Sequence, residues 1–329
     1  MKRRIKITAG LLVIFLFLQL TVGISVGAVT IDSENEHYHI IVDQNGNGNY
    51  RTIQEAINNA EPGSVIFVKN GIYREIIDIQ KQISLIGEEK SSTLINPISE
   101  KNKYAVRLGA PGVILKNFGI KNGAPGLYSN CVRITDSNIE VKECNIYETP
   151  IGIAIWTSDN IIDSCNFWGC TDEGIALLGT SYSDCNRNTI SNCVFRENND
   201  GIELQYSSKN TIENCDFFDN SHAGIDAIYS SNDENIISDC NIYNNDAQGI
   251  YLSSSSDNQI IDCSIYNNDD GNIIIRGESE NNQVISDDNT DDEESNNESL
   301  RDTLNSFITD NLGSNIGRLV ALISILISF

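Results

Sequence analysis

Two carboxylates and an imidazole recur at matching places in this 329-residue chain. Glu203 and Asp226 each stand two residues after a glycine that opens a Gly-Ile pair, Gly201-Ile202 and Gly224-Ile225. If those isoleucines point inward on strands, period-2 alternation turns Glu203 and Asp226 outward, in one column with Ala154, Ala176 and Tyr251. On successive parallel strands their backbones would lie ~5 Å apart. Carboxylates that close push one pKa upward, the condition a general acid needs. Asp200 and His222 lie just before the same glycines, and His222 can take or give a proton near neutral pH. Glu203, Asp226 and His222 are therefore the candidate catalytic residues. Asp200, Trp156 and Tyr251 are candidate binding residues, the two aromatics as platforms for a sugar ring. The same carboxylates could instead share Ca²⁺, which takes carboxylate oxygens readily. Against both stands the number of acids: with 46 of them some must meet on neighbouring strands, and most outward charges only solvate a surface. His37 and His39 would share one strand face, but two ligands make a weak metal site, and none is assigned.

The elements that must hold these residues announce themselves by repetition. Asn138, Asn160, Asn188, Asn210, Asn235, Asn258 and Asn282 are separated by 22, 28, 22, 25, 23 and 24 residues. Five or six residues after each of the first six comes a cysteine: Cys144, Cys165, Cys193, Cys215, Cys240 or Cys263. A glycine follows the same asparagines at thirteen or fourteen residues, from Gly152 to Gly271. A fixed period in this range marks a solenoid, whose units cannot bury an apolar face alone. Each unit contains three short alternating pieces, in one repeat Thr211-Ile212, Cys215-Asp216-Phe217 and Ile225-Asp226-Ala227, and no 3.6-residue stripe. The prediction is an all-β, right-handed parallel β-helix with three strands per coil over 64–286. Its asparagines are expected to form a hydrogen-bonded ladder at one turn.

The flanks read differently. Residues 37–63 predict an opening strand, a turn at Asn45–Asn49 and a short capping helix. That helix starts at a Thr52/Glu55 capping box, shows Ile53, Ala56, Ile57 and Ala60 on one face, and ends at Glu61-Pro62-Gly63. Residues 1–28 have a basic start, an apolar core from Leu11 to Leu20 and Val26-Gly27-Ala28, the pattern of a signal peptide. Residues 287–299 are an acidic, low-complexity linker. The tail, 300–329, carries an amphipathic stripe of Leu300, Leu304, Phe307 and Ile308 before the apolar run Leu319–Phe329. Eleven apolar residues are too few to span a bilayer, so the tail is expected at a membrane interface, on the open end of the solenoid, or in association.

Charge and cysteines narrow the setting. Cleavage after Ala28 would take the formal net charge from −24 to −28, which excludes nucleic acid as a partner and suits a solvated extracellular surface. Of nine cysteines, six share one repeat position and are expected as a column of free, buried thiols, because parallel side-chain vectors make poor disulfide geometry. Cys131, Cys170 and Cys185 fall off that column, and a Cys170–Cys185 bond stays open.

The segment GNGNYRTIQEAINNAEPGS…VKNGIYREIIDIQKQISLIGE (Gly46–Glu88) resembles the opening of pectin-lyase-like right-handed β-helix proteins, pectin methylesterases among them. The later N-x-I-x-x-C-x-[IF]…G-I repeats resemble those of the NosD-like family. Together the resemblances cover Val42 to Asp288 and imply the fold; folds of this kind host many functions. The Q-D, D-F-I-F-G and G-R-W motifs of the methylesterases are missing, as are the N-T-D, D-D, G-H-G and R-I-K motifs of polygalacturonases, so neither activity is carried over. Copper delivery, which the NosD-like name implies, does not fit a chain with one Met, three His and buried cysteines. The expected function is an exported protein, at the cell surface or membrane-associated, that binds a glycan or polysaccharide or scaffolds the surface. The alternative is a polysaccharide lyase, epimerase or hydrolase working at Glu203, Asp226 and His222, and a purely structural or adhesive repeat is the third possibility.

Overall fold

The computed structural model describes residues 40–97, 103–183, 185–229 and 231–285. The expected signal peptide, the acidic linker, the apolar tail and the His37/His39 pair lie outside these residues. No helix among the described residues is long and apolar enough to cross a membrane.

The chain winds as a parallel β-solenoid in which each coil gives one strand to each of three sheets. The first sheet has eleven strands, from Ile40–Val42 to Gln283–Ile285. The second runs over nine strands from Gly71–Tyr73 to Ser264–Tyr266, and the third over nine from Ile77–Ile79 to Gly271–Arg276. Between the sheets lie columns of like residues. Ile162, Ile190 and Ile212 stack in the first sheet, and Ile153, Ile175, Ile202 and Ile225 in the third, all fully buried. Phe167, Phe195 and Phe217 form a ring stack in the second, with centroids 4.7 Å apart.

Side chains keep the coils in phase as much as the backbone does. Asn160, Asn188, Asn210, Asn235, Asn258 and Asn282 form the expected ladder, each amide nitrogen donating to the next Oδ1 at 3.0–3.1 Å. Asn138 does not belong to it: the register sets Ile139 opposite Asn160, and Asn138 takes a left-handed turn position instead. A second ladder, Asn198–Asn220–Asn245–Asn268, runs along another corner. The recurrent glycine has a steric cause: a Cβ on Gly201 would stand 2.4 Å from the Gly224 carbonyl oxygen and 2.6 Å from the Phe217 ring. All nine cysteines are free thiols and eight are buried, so Cys170 and Cys185 are not bonded. In the column each Sγ donates to nearby carbonyls, as Cys165 does to the Asp163 oxygen at 3.3 Å.

The capping helix spans Ile53–Asn59 and lays Ile53, Ala56 and Ile57 on the first coils. Its start corrects the sequence reading. Thr52 is the N-cap residue but its side chain makes no capping bond. The carboxylate of Glu75, from the following coil, takes that role and accepts from the Ile53 and Gln54 amides at 2.8 and 2.9 Å. One carboxylate satisfying two orphan amides at a helix N-terminus leaves the short-range box no work.

Candidate functional site

The third sheet carries the column expected from the Gly-Ile pairs. Register partners run Ala154–Ala176, Ala176–Glu203, Glu203–Asp226 and Asp226–Tyr251. Inward neighbours Ile202, Leu204, Ile225 and Ala227 are buried in the core, which turns Glu203 and Asp226 to the outer face. They nevertheless sit below the surface, at 8 % and 5 % exposure. His222 lies across them. Its Nδ1 is 2.7 Å from Asp200 Oδ1 and 3.9 Å from Asp226 Oδ2, and its ring is the exposed member of the group.

Asp200 is the organiser. Its Oδ1 also accepts from the Ala223 amide at 2.8 Å, and Asn199 donates to its other oxygen at 3.2 Å. A carboxylate bonded to Nδ1 fixes the imidazole tautomer and leaves Nε2 free to exchange a proton. Gln205 donates to Glu203. Asp226 Oδ1 is buried with no hydrogen-bond partner among the described residues, as is Oε2 of Glu173, one coil before Asp200. Unpartnered buried oxygens of this kind are costly and mark a place where a proton or ligand is held.

Protonation follows from that geometry. Burial, then the charges of Asp200 and Glu203, push the Asp226 carboxyl up to about 7, with His222 working the other way. Burial also raises Glu203, as do Asp200 and Asp172. Glu173 is raised further, by burial and then by Glu203 and Asp172. Burial alone would lower His222, but the charge and hydrogen bond of Asp200, with Asp226 and Asp270, outweigh it and hold the imidazole above its ordinary value. The site thus pairs an acid protonated near neutrality with a base oriented by a second carboxylate. One ligand atom each from Asp200, His222 and Asp226 lie within 4.8 Å of one another, so these three could also hold a cation.

The aromatic residues divide. Tyr251 stands beside Asp226 on the next coil and is half-buried. Trp156 is two coils to the other side of Glu203 and packs with Ile151, Ala154 and Ala176 in an outer apolar cluster. The Arg133 guanidinium sits 5.3 Å from its ring centroid, and 5.2 Å from that of Tyr104. Arg133 is one of the residues the sequence reading missed. The column extends backward through Arg133 and Arg107 to Asp78, so cations do stand on this face. Arg107 pairs with Asp78 at 3.0 Å, whereas Arg133 donates to the Tyr128 carbonyl at 3.4 Å and its buried Nε has no hydrogen-bond partner among the described residues. Glu173 was missed too. Each had a signal: Val132-Arg133-Ile134 repeats the pattern of Ile225-Asp226-Ala227, and Glu173 precedes Gly174-Ile175 as Asp200 precedes Gly201-Ile202.

A family model described as the right handed beta helix region matches residues 85–233 and 178–290. The chain belongs to this right-handed β-helix family. Among curated relatives, a pectinesterase of Petunia integrifolia is 28 % identical over 142 residues, covering 38 % of each chain. A second, from Arabidopsis thaliana and also named for pectinesterase, is 44 % identical over 151 residues, 40 % of this chain and 28 % of that one. The chain therefore spans well under half the length of these two relatives. Of solved structures, pectin methylesterase from carrot superposes with a TM-score of 0.52 at 15 % identity, over 75 % of this chain and 88 % of that one. Pectate lyase Pel9A does so at 0.51 and 12 % identity, over 75 % and 76 %. At such identities the likeness shows the fold alone.

Proposed function

We propose that this protein is a polysaccharide-processing enzyme whose chemistry runs by general acid–base catalysis on the outer face of the third sheet. The observation that carries this reading is the Asp200–His222–Asp226 arrangement: an imidazole oriented through Nδ1, beside a buried carboxyl poised near neutrality. A glycan laid along the solenoid axis would meet His222 Nε2 as base and Asp226 as acid, with Glu203 as the second carboxylate. Tyr251 flanks the reacting sugar. Arg133, three coils from Glu203 and so roughly 14 Å along the axis at ~4.8 Å per coil, orients an acidic group on the chain. The pectinesterase relatives support a carbohydrate substrate. The absent methylesterase motifs argue against ester hydrolysis as the reaction. This reading replaces passive glycan binding as the favoured one, because a surface that only binds has no use for an oriented imidazole next to a buried acid. Export to the cell exterior, where such polymers lie, goes with it.

The test is a panel of neutral and acidic polysaccharides scored for released or altered product, with Ca²⁺ and with chelator, on the native chain and on His222→Ala, Asp226→Asn and Glu203→Gln. Turnover is expected on one acidic polymer and a loss of about 10²-fold or more in each of the first two variants. Turnover that survives all three substitutions removes the assignment. Activity confined to Ca²⁺ would make the triad a cation site.

A further inference from the structure

The two ends of the solenoid are unlike. At the N-terminal end the helix Ile53–Asn59 covers the first coils and its apolar face is fully buried. At the other end the strands Ser264–Tyr266, Gly271–Arg276 and Gln283–Ile285 are each last in their sheet among the described residues, which give each a neighbour on one side only. The core columns surface there. Ile260 and Ile242 are 2 % and 0 % exposed, whereas Val284, the partner of Ile260, is 54 % exposed, and Ile265, the partner of Ile242, is only partly buried. Tyr266 ends the ring stack Phe218–Tyr243–Tyr266 with one face unstacked by any described ring. A row of open strand edges over exposed aliphatic side chains is a template for further pairing that proteins ordinarily cover.

We propose that the chain's own segment beginning at Leu300 is what covers it. The stripe Leu300, Leu304, Phe307 and Ile308 has the spacing of one helical face, i, i+4, i+7 and i+8, close to the Ile53, Ala56, Ile57 and Ala60 pattern of the helix on the opposite end. Fourteen residues separate Ile285 from Leu300, a reach of up to ~45 Å, ample to return across one coil. Charge decides against the competing occupants. A second copy stacked head to tail would find the N-terminal face already taken by its helix. Two copies meeting tail to tail would bring two Asp287–Glu298 stretches together, in chains of net charge −24. The same acidic stretch disfavours an anionic lipid surface. Folding back on the same molecule leaves it looped into solvent.

Hydrogen exchange followed by mass spectrometry on the full chain tests this, with coils 145–205 as internal reference. In the native protein the amides of 264–285 are expected to exchange at least tenfold slower than in Leu304→Asp/Phe307→Asp, with the reference coils unchanged between the two. The reference separates loss of the cover from loss of the fold. Equal exchange at 264–285 in both proteins overturns the proposal. So does protection that appears only on raising protein concentration, which would make the occupant a second copy. Protection only in the presence of phosphatidylcholine vesicles overturns it too, in favour of a membrane.

Discussion

Asp226→Asn should make the protein more stable at neutral pH while removing its activity. The Asp226 carboxyl ordinarily titrates near 3.8 and is held at about 7 in the fold, chiefly by burial and by the charge of Asp200. The folded protein therefore keeps this proton over a range where the unfolded chain has released it. Folded-state stability falls as pH rises from about 4 to about 7, and the loss is complete above that. Three pH units at ~1.4 kcal/mol each give up to ~4 kcal/mol. Asparagine keeps the shape and carries no charge. The attraction to the His222 cation is already contained in that shift, and the amide must seat its NH2 where an oxygen stood, so about 2–4 kcal/mol is the expected change. Urea unfolding of both proteins at pH 4, 5.5, 7 and 8, followed by tryptophan fluorescence, gives the measurement. The stability of the variant relative to the native chain should climb across this series and level off by pH 8. A difference flat in pH would refute the reasoning, because it would mean that Asp226 ionises in the fold as easily as in the unfolded chain. A difference that falls with pH would mean that His222 or a bound cation stabilises the carboxylate more than burial penalises it.

Other expectations concern neighbouring groups and the frame. Asp200→Asn should lower the His222 pKa, read from the imidazole proton shifts against pH, since Asp200 supplies the charge and hydrogen bond that hold it up; the pH profile of turnover should move with it, which a merely structural role would not produce. Asn210→Leu breaks the ladder at its middle, taking from Asn188 the acceptor of both its backbone N–H and its Nδ2 and leaving Asn235 Oδ1 with the backbone N–H of residue 210 alone, and should cost ~3 kcal/mol in chemical unfolding. Thiol reagents should label at most Cys263 in the folded chain and all nine cysteines in denaturant, because burial pushes Cys144, Cys165 and Cys193 well above the ordinary thiol range and closes access.

The part of the site that was legible came through the glycines. They cannot carry a Cβ where the coils meet, so they appear at one place in each repeat and fix which neighbours face outward. Glu203, Asp226 and Tyr251 followed from that mark. Arg107 and Arg133 lie on coils before the repeat acquires its glycine, so the same alternation ran there unsignalled. Glu173 escaped because it stands in a parallel row three residues earlier, where Ile151 and Ala223 carry no charge and Asp200 is its charged register partner. Glu75 escaped for another reason: a cap supplied from 22 residues away is a tertiary contact that no local pattern announces. The off-ladder Asn138 shows the converse, a matching residue type at nearly matching spacing that the register sets one place aside.

The column that runs from Arg133 through Ala154 and Ala176 to Glu203 and Asp226 also has the properties of a ruler. Its graduations are whole coils, ~4.8 Å each, close to the length of one sugar unit in an extended chain. Lengthening a turn leaves the marks where they are, whereas gaining or losing a coil moves the cation by one full graduation relative to the acids. Under the proposed function, the choice of which sugar along a polymer is held and which reacts becomes a matter of counting coils.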